Sequence, residues 1–331
     1  MMEKIYFITE AKKTVGFGHV NRCLSVGQKL KDKFEILFSG NFSSDAQKII
    51  KKSFKIIDFK LISSNNSAAI IDIMFDQNDM DYYDMERIYH ICKKFRKTVL
   101  ISSSKKIPKI LPVDVVIGHL LEDYQSNPYR FKLYAGLQYS PVDENFVAYR
   151  LSERIISEEI NHIFVCFGSW NTVDGPLLVL DSLKMMKFKG KVDVLISPLQ
   201  SKDKNKLKSY TSEFRLKLHN NIPSIAPLFY DADLAIGTYG HVVFEALCLG
   251  IPYIVIGVKD FQVSYSKLLE NMELLACAGK LNDVNIKDIS NVIAQMDKKK
   301  RSRLSLEGRK HIDPYGIQRI VNIIKREILS Y

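Results

Sequence analysis

Short apolar runs recur along this chain at intervals that leave room for one helix between each pair. The first is Ile5-Tyr6-Phe7-Ile8, followed by a glycine-bearing loop and a stretch from about His19 to Lys31 whose apolar positions Val20, Cys23, Leu24, Val26 and Leu30 favour one side. That spacing predicts a strand, a loop and an amphipathic helix. Further strands are expected at Phe34–Phe38, Ala68–Ile73, Thr98–Ile101 and Val113–Ile117. The pattern loosens around Tyr139–Asp143. It resumes at Ile163–Phe167, Val192–Ile196, Leu234–Ile236 and Tyr253–Ile256. Continuous apolar strands separated by helix-length segments predict a parallel sheet covered on both faces, here twice over. The fold class expected is α/β, with two Rossmann-like doubly wound domains facing a cleft. At 331 residues the chain is also long for one core,.

Composition narrows the classes. With 46% hydrophobic and 26% charged residues, the chain is neither disordered nor fibrous,. No segment approaches the roughly 18 uninterrupted apolar residues of a membrane span, and the N-terminal apolar run is too short for a signal peptide, so a cytoplasmic protein is expected. Five cysteines without C-x-x-C spacing argue against a disulfide framework or a zinc site,. The net charge of +11 fits phosphorylated ligands, nucleic acid or an anionic membrane surface,. The row Lys202, Lys204, Lys206, Lys208 and the block Lys298-Lys299-Lys300-Arg301 read as solvated faces, with peripheral membrane contact as the functional rival. Nucleic acid is not expected as a partner, because no recognition motif is present.

Candidate chemistry lies in the loops that follow strands, where open α/β sheets bind ligands. In Val15-Gly16-Phe17-Gly18-His19-Val20-Asn21-Arg22, Gly16 and Gly18 let the backbone approach a ligand, and His19 opens a helix where its ring can take a proton from water or a hydroxyl,. In Gly237-Thr238-Tyr239-Gly240-His241-Val242, a strand enters a turn suited to a diphosphate. Glu245 lies far enough into the following helix to bind ribose hydroxyls,. Ser169 and Asn171, beside the single Trp170, follow the first strand of the second domain, and Gln262 follows Tyr253–Ile256, where its amide could bind a ligand hydroxyl.

Taken in order, these segments resemble the nucleotide-sugar hydrolase of the pseudaminic acid pathway and its relatives in spore-coat polysaccharide synthesis, which share the glycosyltransferase-B fold. The resemblance rests on Gly16-Phe17-Gly18-His19 with Arg22-Cys23-Leu24, Gly136–Tyr139, Phe167-Gly168-Ser169, Asp233–Pro252 and Asp313–Arg319. It implies a hydrolase that releases a free amino-deoxy sugar from its (UDP-type) nucleotide diphosphate, with His19 as the catalytic base and neither metal nor cofactor. It also implies that Gly16, Gly18, Arg22, Ser169, Asn171, Gly240, His241, Val242, Glu245 and Gln262 contact substrate. The domains expected are 1–150, joined by a C-terminal helix over 315–331, and 151–314. The family's Ser-Thr after the phosphate-loop glycine is His241-Val242 here, and its Asp-His-Tyr after the third strand is Asp72-Ile73-Met74. A glycosyltransferase using His19 on an acceptor hydroxyl, and a nucleotide-sugar binding protein without turnover, remain the alternatives.

Overall fold

The computed structural model describes residues 2–11, 16–62, 67–73, 82–120, 130–168, 174–196, 204–220 and 222–329. They form two α/β units: residues 1–141 with 315–331, and residues 142–314. Among the described residues no helix is long and apolar enough to cross a membrane.

Unit 1 is built on a seven-stranded parallel sheet: β1 (Glu3–Ala11), β2 (Phe34–Phe42), β3 (Lys55–Ile56), β4 (Ala68–Asp72), β5 (Lys97–Ser102), β6 (Val115–Gly118) and β7 (Lys132–Ala135), in the order β3-β2-β1-β4-β5-β6-β7. The central strands are apolar on both faces because both are covered. Ile5 and Phe7 of β1 pack against α1 (Gly18–Gln28), α2 (Ser44–Lys51) and α12 (Gly316–Leu329), while Tyr6 and Ile8 pack on the side of α3 (Tyr82–Cys92). The last helix buries Ile317, Ile320, Val321, Ile324 and Ile328, a stripe at helical period that returns the end of the chain to this core,. Its Glu327 takes hydrogen bonds from Lys132 and Tyr134, tying the helix to edge strand β7.

Unit 2 holds a six-stranded parallel sheet: β8 (His162–Cys166), β9 (Lys191–Leu195), β10 (Arg215–His219), β11 (Leu234–Gly237), β12 (Tyr253–Gly257) and β13 (Ala276–Lys280), ordered β10-β9-β8-β11-β12-β13. One face buries Val179, Leu180 and Leu183 of α5 (Asp174–Met185) with Ile289 and Ile293 of α10 (Ile286–Ala294). On the other, Phe164 meets the ring of Phe229 edge-on in α7 (Ala226–Asp231). The segment leading into β8 is stitched down by arginines that donate to main-chain carbonyls. Arg154 bonds Tyr230 and Ala232, Arg309 bonds Arg150 and Ser152, and the fully buried Arg301 bonds Ser157 and Glu158. Within the block Lys298–Arg301, Arg301 is internal and Lys298 pairs with Glu158, while Lys299 stays exposed as expected of a solvated face. Lys202 lies outside the described residues.

Candidate functional site

In unit 1, Gly16 takes φ +76°, a left-handed conformation that glycine adopts without strain, and Phe17 caps α1 with no side-chain hydrogen bond,. His19 is the second residue of that helix. β4 lies beside β1 in register Thr9↔Asp72, which brings the last residue of β4 under the first turn of α1. There Asp72, fully buried, meets His19 once and Arg22 twice. His19 Nδ1 is 2.7 Å from Oδ1, Arg22 Nε donates to Oδ2 at 2.6 Å, and Arg22 Nη2 donates to Oδ1 at 2.5 Å. Arg22 Nη1 reaches Ser103 Oγ at 2.9 Å, beyond the end of β5. Burial alone would raise the Asp72 carboxyl pKa. The charges of Arg22 and His19 and their hydrogen bonds outweigh that and hold it well below the usual carboxylate range,.

An ionised carboxylate only accepts, so the proton between the two groups belongs to His19 Nδ1. In the neutral ring this leaves Nε2 as the acceptor, and the His19 side chain keeps 17% exposure,. A base of fixed tautomer, oriented by a buried anion, can withdraw a proton from water or an alcohol and be stabilised as the imidazolium that results.

In unit 2, β11 runs into Thr238-Tyr239-Gly240 and then α8 (His241–Leu249), which ends at Gly250 with φ +75°. The turn is braced from below. A Cβ on Gly237 would lie 1.8 Å from the Cys166 carbonyl oxygen, so only glycine lets the strands close here. Gln262, buried in α9 (Asp260–Asn271), accepts through Oε1 from Thr238 Oγ1, Val258 N and Lys259 N, and donates through Nε2 to the Tyr239 carbonyl at 2.9 Å. Tyr253 OH donates to the Thr238 carbonyl at 3.2 Å. Above the turn the space is open: a Cβ on Gly240 would meet nothing within 4 Å. First-turn amides of a helix have no intrahelical acceptor, and the helix dipole adds partial positive charge, so the start of α8 with His241 and Val242 is suited to an anion. One turn on, burial and the neighbouring Asp143 push the half-buried Glu245 carboxyl up to about 8.

The sequence-predicted residues thus fall into two assembled groups, one in each unit. His19 and Arg22 meet at Asp72, with Gly16 and Gly18 at the start of α1 that carries them; Gly240, His241, Val242, Glu245 and Gln262 share the β11–α8 turn and its brace. Arg22 and Gln262, expected to meet ligand, direct polar atoms at protein partners. Ser169 and Asn171 lie outside the described residues. Asp72 was not assigned a role from sequence, although its signal was visible: a carboxylate closing the apolar run Ala68–Ile71 must find a cation or donor,.

No family model matches this chain. Uncharacterized protein MJ1062 of Methanocaldococcus jannaschii is 29% identical over 285 residues, covering 78% of this chain and 56% of that protein. The chain therefore spans little more than half of that relative's length. The spore coat polysaccharide biosynthesis protein SpsG of Bacillus subtilis is 24% identical over 333 residues, covering 94% of each. Among solved structures, Acinetobacter baumannii MurG superimposes with a TM-score of 0.66 at 13% identity, covering 98% of this chain and 99% of that one. S. aureus MnaA, determined as a co-structure with UDP, gives 0.62 at 9% identity and covers 100% and 98%. At these identities the likeness establishes the fold: two Rossmann-like units of the glycosyltransferase-B architecture.

Proposed function

We propose that this protein cleaves the bond between a sugar and a nucleoside diphosphate in the synthesis of a surface polysaccharide, with water as nucleophile and His19 as general base. The observation that carries the reading is the His19–Asp72 contact of 2.7 Å, with Arg22 keeping Asp72 ionised. The water's proton passes to His19 Nε2 as its oxygen attacks the anomeric carbon. The sugar C–O bond breaks, and its electron pair leaves on the terminal phosphate oxygen of the nucleotide. Asp72 stabilises the imidazolium through Nδ1–H, while the start of α8 and the Gly240 turn receive the diphosphate and Glu245 accepts from ribose hydroxyls. Gly16 and Gly18 leave room for the sugar. The similarity to SpsG supports a place in polysaccharide biosynthesis, and the UDP held by MnaA supports a uridine nucleotide.

A second reading is transfer of the sugar to a glycan or lipid-linked hydroxyl, with His19 acting on that hydroxyl. It is supported by solved neighbours that are named glycosyltransferases. The two readings part in one experiment: purified protein incubated with a panel of UDP-sugars, including diacetamido-trideoxyhexoses, and followed for nucleotide release without acceptor, with and without EDTA. The proposal expects release that survives EDTA, falls about 10²–10⁴-fold in kcat in His19→Ala, and falls by a smaller factor in Asp72→Asn with KM little changed. Tight UDP-sugar binding with no release until an acceptor is added favours transfer. Binding with no release under any acceptor leaves a binding protein.

A further inference from the structure

The charge of this chain is divided unequally between its units. Residues 1–141 with 315–331 carry 25 Lys and Arg against 16 Asp and Glu, a net +9; residues 142–314 carry 23 against 21, a net +2. An excess that served the diphosphate alone would gather near the β11–α8 turn. It gathers instead in the other unit.

Within unit 1 its position follows from topology. In a parallel sheet every strand starts at the same end, and each crossover helix finishes there. That amino end receives Lys31 and Lys33 in the turn between α1 and β2, Lys51 and Lys52 at the close of α2, and Lys109 and Arg130, whose segments are joined by Arg130 N→Lys109 O at 3.1 Å just before β7. All six are exposed, and none has an ion-pair partner among the described residues. Of the acids at the same end, Glu3, Glu35, Asp114 and Glu327 are paired with Arg96, Lys4, Lys97 and Lys132, and Asp32, exposed between Lys31 and Lys33, offsets one of the six cations. The helix dipole accounts for cations at the close of α2, but not for those in the turns. Two large aliphatic side chains stand among these cations, Met2 at 54% exposure and Ile110 at 62%.

We propose that the amino end of the unit 1 sheet is a docking face for an anionic lipid bilayer. The cations stand toward the two edges of the seven-stranded sheet, before β2 and β3 on one side and before β6 and β7 on the other, which at the usual inter-strand spacing are roughly 30 Å apart, and so do not converge on one pocket,. Lysine ammonium groups dispersed over such a breadth match a diffuse negative surface, and exposed aliphatics between them suit the headgroup boundary. An acidic peptide or nucleic acid would be served by a groove or by aromatic platforms, and the described residues of this end that carry the cations form turns and helix ends without interleaved exposed aromatics. Docked this way, the nine residues of β1 hold the carboxyl ends of the strands, with His19 and Asp72, about 30 Å from the lipid,. The site then faces substrate in solution. The docking face rests on the placement of the cations and not on the reaction proposed for His19, and in this orientation water or a soluble acceptor reaches the site more readily than a lipid-linked one.

The test is sedimentation of the full chain with vesicles of phosphatidylcholine alone and with about one-third phosphatidylglycerol. Expected is binding to the anionic vesicles only, weakening as salt rises from about 0.05 to 0.3 M. At roughly fivefold per lysine, the combined variant Lys31→Glu, Lys33→Glu, Lys51→Glu, Lys52→Glu should lose on the order of 100-fold or more in partition. A four-lysine reversal in unit 2, at Lys187, Lys206, Lys208 and Lys287, should change it little. Thermal melts and vesicle-free nucleotide-sugar turnover of both variants serve as folding controls. Absence of binding to phosphatidylglycerol vesicles, or equal loss in the unit 2 variant, overturns the docking face.

Discussion

A histidine at a helix start has a defined tautomer only when something fixes one ring nitrogen, and here Asp72 does so across 53 residues of chain. The half of this arrangement that lies in one segment, Gly16-Phe17-Gly18-His19, is legible in the sequence. The other half depends on β4 lying beside β1 and is not. Glu245 shows the same division: its place in α8 is local, but its environment is tertiary. Its folded-state pKa, raised to about 8, means that the folded chain keeps a proton that the unfolded chain releases above about 4.5. Stability should therefore fall as pH rises through that interval and level off above 8. Glu245→Gln removes the slope, raising stability by roughly 1–2 kcal/mol at pH 8, a value that allows for the solvent access of a half-buried side chain. The same substitution should weaken UDP-sugar affinity. Melting temperatures between pH 5 and 9, beside a binding titration, check both expectations; a variant less stable than the parent at pH 8 would count against the buried-carboxyl account.

Among the elements, the strands found from apolar runs are the inner ones: β1, β2, β4, β5 and β6 in unit 1, and β8, β9, β11 and β12 in unit 2. The four that escaped, β3, β7, β10 and β13, are the edges of the two sheets. Edge strands are covered less and carry charge, as in Arg215-Leu216-Lys217-Leu218-His219 of β10, so the continuous apolar signal is missing where the pairing partner is single,. β10 is held by a polar staple instead. Asp193, buried in β9, lies 2.7 Å from His162 Nε2 of β8, 2.8 Å from His219 Nε2 of β10 and 2.7 Å from Lys191 Nζ. Burial alone would raise its pKa; the three hydrogen bonds and the Lys191 charge outweigh that and hold it well below the usual range. As pH falls below about 4, the unfolded carboxylate binds its proton before the folded one, and the staple's stabilisation is lost progressively. Asp193→Asn should cost about 2–4 kcal/mol at neutral pH and flatten this acid limb, measured by urea denaturation at pH 3 to 7.

At the scale of the whole molecule, the loosening of pattern near Tyr139–Asp143 marks where the first sheet ends. Which unit takes the segment that follows depends on buried arginines. Arg301 reaches back about 140 residues to the carbonyls of Ser157 and Glu158. Arg301→Ala should leave those carbonyls without their donor, cost about 2–4 kcal/mol and open the 152–160 segment to limited proteolysis, with cleavage between Ser152 and Ile160 as the readout. Charge was similarly half-visible: the net +11 is a property of composition, whereas its bias to unit 1, and the meeting of Lys31, Lys33, Lys51, Lys52, Lys109 and Arg130 at one end of that sheet, follow from where turns and helix ends are gathered. The sequence by itself determined the alternation of inner strands and helices, the two-sheet architecture and the glycine loop that carries His19, because each is written in neighbouring residues. Tertiary structure decided the edge strands, the Asp72 partner of His19, the inward turn of Gln262 and the end at which the lysines meet. Each of those depends on strand order, which brings together residues that no local pattern connects.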